Sequence, residues 1–277
     1  MFYFVCALYA EAKPLISALS LRKDAFSCPY DTYFSEDSSV VLTISGMGPI
    51  AGAAASSYLL TRFGFRSEKD FLINFGSCAG KDPGLYLINK ITDNASGRTF
   101  YPDMLYDLSD CGLPSSSEKA LVTVPRVVSS LEDPESLYEM EASGIFQAAS
   151  HVLPPHRMLF LKYVSDAGVE NAKAVTAEYL SSCSEKYLPA VLSVLKKLEE
   201  ACEEKPSIDE ELLLSTSYAL HLSETLRFEL RQLFMYANAS GKNMEKILND
   251  LDADGKLDVS SKREGKVVLD AIRQKLI

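Results

Sequence analysis

The sequence lacks the cysteine and histidine patterns of metal-binding proteins. Its 277 residues include six cysteines and three histidines, and no two cysteines are spaced as CxxC. Zinc sites in proteins usually depend on such closely spaced ligands, so no zinc site is predicted. Free thiols are most simply explained by a reducing compartment, and we therefore expect a cytoplasmic protein.

Long hydrophobic runs and a basic charge surplus are also missing. No apolar run approaches the roughly 20 residues that a membrane span needs. The run Phe2–Ala10 has no basic segment before it and is followed at once by Glu11, which is typical of a buried strand rather than a signal peptide. The formal net charge of −10 argues against partners such as nucleic acid or an anionic membrane surface.

What the sequence does contain is a regular alternation of apolar runs and helical patterns. Strands are predicted at 2–7, 26–34, 39–45, 71–74, 85–91, 120–124 and 158–164, and helices at 11–20, with Pro14 in the first turn, 50–63, 142–149 and 175–204. Residues 94–117 read as a long loop. This alternation favours an α/β fold, with a central mixed, largely parallel sheet flanked by helices.

The pattern changes beyond Lys205 and Pro206. Helical periodicity follows at 208–220, 223–237 and 267–276, without further strands. We therefore predict two domains, a catalytic domain at residues 1–205 and a small helical appendage at residues 206–277.

Three glycine-rich or acidic motifs fit known binding loops incompletely. Gly46–Gly52 has its third glycine one residue late for a dinucleotide fingerprint, and Gly76–Lys81 is one residue short of a P-loop. Asp250–Asp258 fits the first nine positions of a calcium loop, but Ser261 stands where the bidentate acid belongs. We therefore predict no metal and no cofactor.

Polar residues follow four of the predicted strands. They are Glu11, Ser45–Gly48, Gly76 with Ser77, and Ser165 with Asp166. Ligands of such sheets bind at the carboxyl ends of the strands, so these residues should converge. Two plainer interpretations stay open, in which Glu11 only stabilises a helix start and Asp166 only caps a helix.

Two carboxylates flank a methionine just before the short helix at 142–149. Glu139 and Glu141 could simply complement the positive end of that helix. They could also form a sugar site, since a carboxylate accepts hydrogen bonds from two hydroxyls and Met140 offers a soft apolar wall.

The ordered set of these segments resembles the nucleoside phosphorylase and nucleosidase superfamily. The pattern is most similar to that of the methylthioadenosine/S-adenosylhomocysteine nucleosidases and covers residues 1 to about 200. The matching segments are Ala7–Glu11, Ser45–Gly48, Asn74–Ser77 with Ala79 and Gly80, Glu139–Ala142, and Ser165 with Asp166.

The resemblance implies catalytic roles for two carboxylates and a sugar-binding role for a third. Asp166 would protonate the purine N7 as the base leaves, and Glu11 would deprotonate the attacking water. Glu141 would hold the ribose hydroxyls, with Met140 packing the sugar and Glu139 in a supporting role. The remaining substrate-binding residues that it implies are Ser77, Gly76, Ser165, Gly46 and Met47. A homodimer is the oligomer it implies.

The chain also departs from the nucleosidase pattern in the segment that would pack against the purine base. An aromatic residue is expected after the strand at 120–124, but Pro125–Val128 follows instead. Residues Arg98–Asp103 are an alternative segment to reach the site.

Three functions follow from the resemblance: a purine nucleoside hydrolase, a phosphate-dependent phosphorylase, and an inactive nucleoside-binding protein. Phosphorylases of the superfamily hold phosphate with arginines, one of them at the start of the central Gly-Ser motif. Here Asn74 stands at that position, and Gly46–Gly52 contains no basic residue. Lys13 and Lys81 are the nearby substitutes. We expect the hydrolase, acting on an adenosine-type nucleoside such as 5'-methylthioadenosine, S-adenosylhomocysteine or a 5'-deoxyadenosine-like compound.

Overall fold

A computed structural model describes residues 1–25, 29–66, 69–113, 118–168, 175–203 and 208–276, without the side chains of residues 202 and 203. The chain divides into two compact units, Met1–Ala201 and Cys202–Ile277, called here the N-terminal and C-terminal units. The predicted boundary at Lys205 and Pro206 lies outside the described residues, as do residues 26–28 of one predicted strand and residue 204 of the long predicted helix.

Strands and helices alternate through the N-terminal unit. The strands are β1 (Phe2–Cys6), β2 (Arg22–Lys23), β3 (Thr32–Phe34), β4 (Val40–Ile44), β5 (Phe71–Ala79), β6 (Leu85–Asp93), β7 (Thr99–Phe100), β8 (Glu118–Thr123), β9 (Leu137–Glu139) and β10 (Met158–Asp166). The helices are α1 (Tyr9–Ala18), α2 (Pro49–Phe63), α3 (Ala142–Ala149) and α4 (Ala177–Glu203). The α/β class predicted from the sequence is confirmed.

The sheet is mixed, and one part of it closes on itself. Parallel ladders join β4 to β1, β1 to β5 and β5 to β10. From β10 the sheet continues through β6, β8 and β9 and returns to β5. The sequence predicted a mixed sheet but not this closed ring, because closure depends on the antiparallel contact of Ala79 with Tyr138, which joins distant parts of the chain.

Several elements differ from their predicted limits. β5 continues through Gly76 and Ser77 to Ala79 instead of ending at residue 74. β9 was not predicted, and β7 lies inside the predicted loop at 94–117. A strand of two or three residues is too short for its side-chain alternation to be recognised.

Helix α1 begins at Tyr9, two residues earlier than predicted. The Glu11 carboxylate accepts a hydrogen bond from the Leu8 amide at 3.0 Å and so satisfies an amide that precedes the helix. Pro14 consequently lies beyond the first turn, so its predicted position in the first turn was wrong.

Helices α2 and α3 pack at unusually short range. A Cβ placed on Gly144 would overlap the Pro49 carbonyl oxygen, and one placed on Gly52 would lie 2.8 Å from the Ile145 side chain. Only glycine permits this approach at both positions. The contact brings the amino end of α2 against the amino end of α3.

The C-terminal unit has its own apolar core. It consists of α5 (Glu210–Ala219), α6 (Glu224–Ala239), α7 (Met244–Ala253) and α8 (Lys262–Leu276), which bury Leu230, Leu251 and Ile272. Helix α7 was not predicted, and it takes up Asp250 and Asp252 of the calcium-loop motif. None of the described helices combines the length and apolar character that crossing a membrane requires.

Candidate active site

A cavity of about 240 Å³ opens at the carboxyl ends of β1, β5 and β10. It contains side chains from segments that are far apart in sequence. Its lining residues include four carboxylates, two methionines and two serines, namely Glu11, Glu139, Glu141, Asp166, Met47, Met140, Ser77 and Ser165. The structure thus brings together eight of the ten residues that the sequence motifs singled out.

Glu11 lies in the cavity wall and is held by three hydrogen bonds. Its Oε1 accepts the Ser77 amide at 2.8 Å and the Ser77 hydroxyl at 2.7 Å, and its Oε2 accepts the Leu8 amide. The side chain is buried, and these donors replace water around the carboxyl group. Glu11 therefore has one fixed orientation toward the cavity.

Gly76 contributes to this orientation without lining the cavity. A Cβ on Gly76 would lie 3.1 Å and 3.2 Å from the two oxygens of Glu11. Glycine therefore allows the carboxylate to lie against β5. Gly46, which also does not line the cavity, has a φ of +80° and donates its amide to the Ala7 carbonyl at 3.1 Å. Both glycines shape the backbone around the cavity.

Asp166 enters the cavity from the end of β10, where the strand pairing is irregular. Val164 pairs with Cys78 and Asp166 with Ala79, so Ser165 is the extra residue of a β-bulge. Such bulges redirect side chains at strand ends. Asp166 accepts hydrogen bonds from the Ser165 hydroxyl at 2.8 Å and from the Gly168 amide at 2.9 Å.

Helix α4 is connected to this bulge through a tyrosine. The Tyr179 hydroxyl donates to the Ser165 carbonyl oxygen at 2.8 Å. The sequence analysis did not identify Tyr179, since a tyrosine in the first turn of a long helix carries no distinctive local pattern.

Glu141 lies at the amino end of α3 and points toward the amino end of α2. Its Oε1 accepts the Gly48 amide at 2.9 Å. Burial, together with the nearby Glu139 carboxylate, raises the pKa of Glu141 from 4.5 to about 7, while Lys162 and the Gly48 amide oppose this rise. Near neutral pH, Glu141 therefore populates both its protonated and its ionised form.

The carboxylate of Glu139 accepts hydrogen bonds from several other groups of the protein. Its oxygens accept the Thr123 hydroxyl at 2.7 Å, the Lys162 ammonium at 3.0 Å and the amides of Glu141 and Ala142, each at 2.9 Å. A carboxylate with so many donors holds the start of α3 in place and has little capacity left for a ligand.

Lys162 is the most important residue that the sequence analysis missed. It lies within the apolar strand β10 and its side chain is only 2% exposed. A buried lysine requires a buried partner, so a charged residue inside an apolar run was the available signal. The partner could not be identified, because Glu139 lies 23 residues earlier in the chain.

The remaining cavity wall is mostly aliphatic, and it also includes Cys78 and one aromatic side chain, Tyr138 of β9. Val124, Val127 and Val128 line the cavity where the nucleosidase pattern has an aromatic residue, and Leu180 contributes from α4. The alternative segment at residues 98–103 is not part of this wall, and Arg98 donates to the Gln147 side chain at 3.1 Å.

The described residues that line the cavity include no arginine and no lysine. Asn74 is buried within β5 and donates to the Val5 carbonyl at 3.0 Å. Lys13 and Lys81 are exposed and do not line the cavity. Within the described part of the chain, no cluster of histidine, cysteine, aspartate or glutamate is arranged to hold a metal ion.

The closed mixed sheet and the carboxylate-lined cavity define an α/β protein with the nucleosidase fold. The structure is similar to the 5'-methylthioadenosine/S-adenosylhomocysteine nucleosidase of S. pneumoniae, solved with a transition-state inhibitor, at a TM-score of 0.59 and 20% identity over 71% of this chain and 99% of that chain. The corresponding enzyme of Colwellia psychrerythraea, in complex with adenine, matches at a TM-score of 0.57 and 22% identity over 71% and 95% of the two chains.

A futalosine hydrolase of Helicobacter pylori shares the fold, with a TM-score of 0.57 and 12% identity over 70% of this chain and 97% of that chain. No protein-family model matches the sequence, and no curated protein matches it either. The resemblance predicted from the sequence motifs is thus confirmed by the shared fold.

Proposed function

We propose that the protein hydrolyses the N-glycosidic bond of an adenosine-type purine nucleoside. The observation that carries this proposal is the pairing of Glu11 and Asp166 in one cavity whose described lining contains no basic side chain. One carboxyl group is available to take a proton from water, and the other to give a proton to the departing base.

Each step of the reaction has a group to perform it. The bond between the sugar C1' and the purine N9 breaks, and its electron pair leaves with the base. Asp166 in its acid form gives a proton to N7, so that the base departs neutral. Glu11 takes a proton from water, whose oxygen then bonds to C1'. The products are free sugar and free base.

The carboxylates also suit the charge of the transition state. Cleavage of an N-glycoside passes through a cationic, oxocarbenium-like sugar. Fixed negative charge in a site shielded from water stabilises such a cation. Glu141 is proposed to accept hydrogen bonds from the ribose hydroxyls, and Met140 to pack against the sugar.

The same charges argue against phosphate as the nucleophile. Phosphate recognition in proteins relies on cationic side chains, and arginine is especially suited to it. Glu11 would repel the dianion, and Lys162, a buried lysine behind the cavity, is already paired with Glu139. The phosphorylase therefore remains the second candidate only on the strength of the shared superfamily.

The names of the proteins with this fold, together with the resemblance of the sequence motifs, supply the substrate panel. We propose 5'-methylthioadenosine, S-adenosylhomocysteine and 5'-deoxyadenosine as the first compounds to test, with futalosine as a fourth. The two-domain division at residues 205 and 206, a homodimer and a cytoplasmic location remain predictions that accompany this proposal.

The test is to incubate the full chain with each nucleoside in phosphate-free buffer and to identify both products. Free sugar and free base, released at a rate that added phosphate does not change, would support the proposal. Sugar 1-phosphate formed only when phosphate is present would establish the phosphorylase instead. Binding of a nucleoside without any cleavage would point to the third candidate, an inactive nucleoside-binding protein.

Two variants connect the activity to this cavity. Asp166→Asn removes the proposed acid, and Asp110→Asn changes an exposed aspartate outside the cavity in the same way. Loss of cleavage in the first variant alone would place the reaction in the cavity. Equal activity in both variants would separate the activity from the site described here.

A further inference from the structure

A buried ion pair lies directly behind the cavity. The Lys162 ammonium is 3.0 Å from Glu139 Oε2, and the side chains of both residues are 2% exposed. Lys162 itself does not line the cavity. Lys162 therefore does not contact a ligand in the cavity, and it acts on the site through its hydrogen bonds and its charge.

Glu139 connects the lysine to the sugar site. It accepts hydrogen bonds from Thr123 on β8, from Lys162 on β10, and from the amides of Glu141 and Ala142 at the start of α3. Thr123 in turn accepts the Ser143 amide at 3.0 Å. Because these bonds fix the first residues of α3, they also fix the backbone from which the Glu141 side chain extends.

The charge on Lys162 also acts on Glu141 directly. The groups that face Glu141 are Glu139 on β9, Glu11 on α1, Lys162 on β10 and the Gly48 amide at the start of α2. The two carboxylates favour the protonated form of Glu141, whereas the ammonium and the amide favour its anion. Lys162 is the only charged group of this set that offsets the carboxylates.

We propose that Lys162 is a positioning residue of the sugar site, which orients Glu139 from behind the cavity and keeps Glu141 available as an anion for the ribose hydroxyls. This inference rests on the proposed function of Glu141. It adds a residue that does not touch the substrate, and it assigns the buried pair a purpose other than stability.

The inference predicts a specific change in pH dependence. In Lys162→Gln the negative charge of Glu139 is no longer offset, so the pKa of Glu141 rises. The rising limb of kcat/KM should move upward by about one pH unit, because the anion fraction falls tenfold for each unit below the pKa. Because the pKa of Glu141 in the parent is about 7, a rise of one unit lowers its anion fraction at pH 7 from about one half to about one eleventh. The loss of kcat/KM at pH 7 should therefore be roughly fivefold and should appear mainly in KM, while kcat at high pH changes little.

Two variants provide matched comparisons. Lys162→Arg keeps the positive charge and should retain the pH profile of the parent protein. Lys119→Gln removes another strand lysine, one whose partner Glu135 is largely exposed, and it should also leave the profile unchanged. A Lys162→Gln profile that superimposes on that of the parent would overturn the inference.

A double variant keeps the test valid if Lys162→Gln fails to fold. In a Glu139→Gln background no buried anion is left unpaired when Lys162 is replaced, so the fold should tolerate the change. Glu139→Gln alone should move the midpoint to lower pH, and adding Lys162→Gln should move it back upward. No upward movement between these two variants would contradict the role of Lys162.

A measurement without turnover separates this inference from the proposed function. The carboxyl carbon of Glu141 can be titrated by ¹³C NMR in the parent, Lys162→Arg and Lys162→Gln, with Glu141→Gln identifying the resonance. If the parent cleaves no nucleoside but the titration of Glu141 moves upward in Lys162→Gln, the proposed function fails while the electrostatic role stands. An unmoved titration overturns that role whatever the activity.

Discussion

Replacing Glu11 with glutamine tests the proposed water base with almost no change in shape. The glutamine oxygen can take the place of Oε1 and keep both hydrogen bonds from Ser77. The amide nitrogen then faces the Leu8 amide, which loses the acceptor that lies 3.0 Å away in the parent. The variant therefore removes one hydrogen bond and the capacity to take a proton.

The two losses differ greatly in size. One buried donor left without an acceptor costs about 1–3 kcal/mol, and the low end applies because the Leu8 amide is only partly buried. A loss of about 1 kcal/mol lowers the melting temperature of a unit of this size by about 2–4 °C. Loss of a general base lowers turnover by about 10²- to 10⁴-fold.

The assay is base release from the best nucleoside of the panel, combined with thermal unfolding and nucleoside binding. We expect Glu11→Gln to bind the nucleoside within a few-fold of the parent, melt slightly earlier and lose at least about 100-fold in turnover. Glu132→Gln, an exposed glutamate outside the cavity, is the matched control. Turnover within tenfold of the parent would show that Glu11 only caps α1.

Four further outcomes can be measured on the same protein. Asp166→Asn should lower kcat about 10²- to 10⁴-fold with nucleoside affinity retained, and wild-type turnover would remove Asp166 from the mechanism. Glu141→Gln should lower kcat/KM for ribosides more than for 2'-deoxyribosides, because the amide is a weaker acceptor than the carboxylate. An unchanged preference between the two sugars would contradict the proposed binding of the ribose hydroxyls by Glu141. The raised pKa of Glu141 adds stability below pH 4.5 that is lost as pH rises through about 7. The free energy of unfolding, measured by chemical denaturation, should therefore decline less between pH 4.5 and pH 7 in Glu141→Gln than in the parent. Equal declines in the two proteins would refute the pKa shift. Calcium should not raise the melting temperature relative to a chelator, since Asp250 and Asp252 lie within α7, and a large calcium-dependent rise would restore the calcium loop.

The sequence by itself determined the buried strands and the polar residues at their ends. Glu11, Ser77 and Asp166 follow or end apolar runs, and parallel strands place their carboxyl ends at one edge of a sheet. Their approach to one cavity could therefore be predicted from the amino-acid order. The prediction depended only on local periodicity and on the general geometry of α/β sheets.

The tertiary structure decided which of the site's carboxylates are free for a ligand. Glu139 and Glu141 are two residues apart and look equivalent in the sequence, yet Glu139 is occupied by Thr123, Lys162 and two amides, while Glu141 accepts only the Gly48 amide among the described bonds. This difference arises because closure of the sheet brings β8, β9 and β10 together. Local periodicity extends over a few residues, whereas the Lys162–Glu139 pair spans 23, so only the folded chain assigns the two carboxylates their different environments.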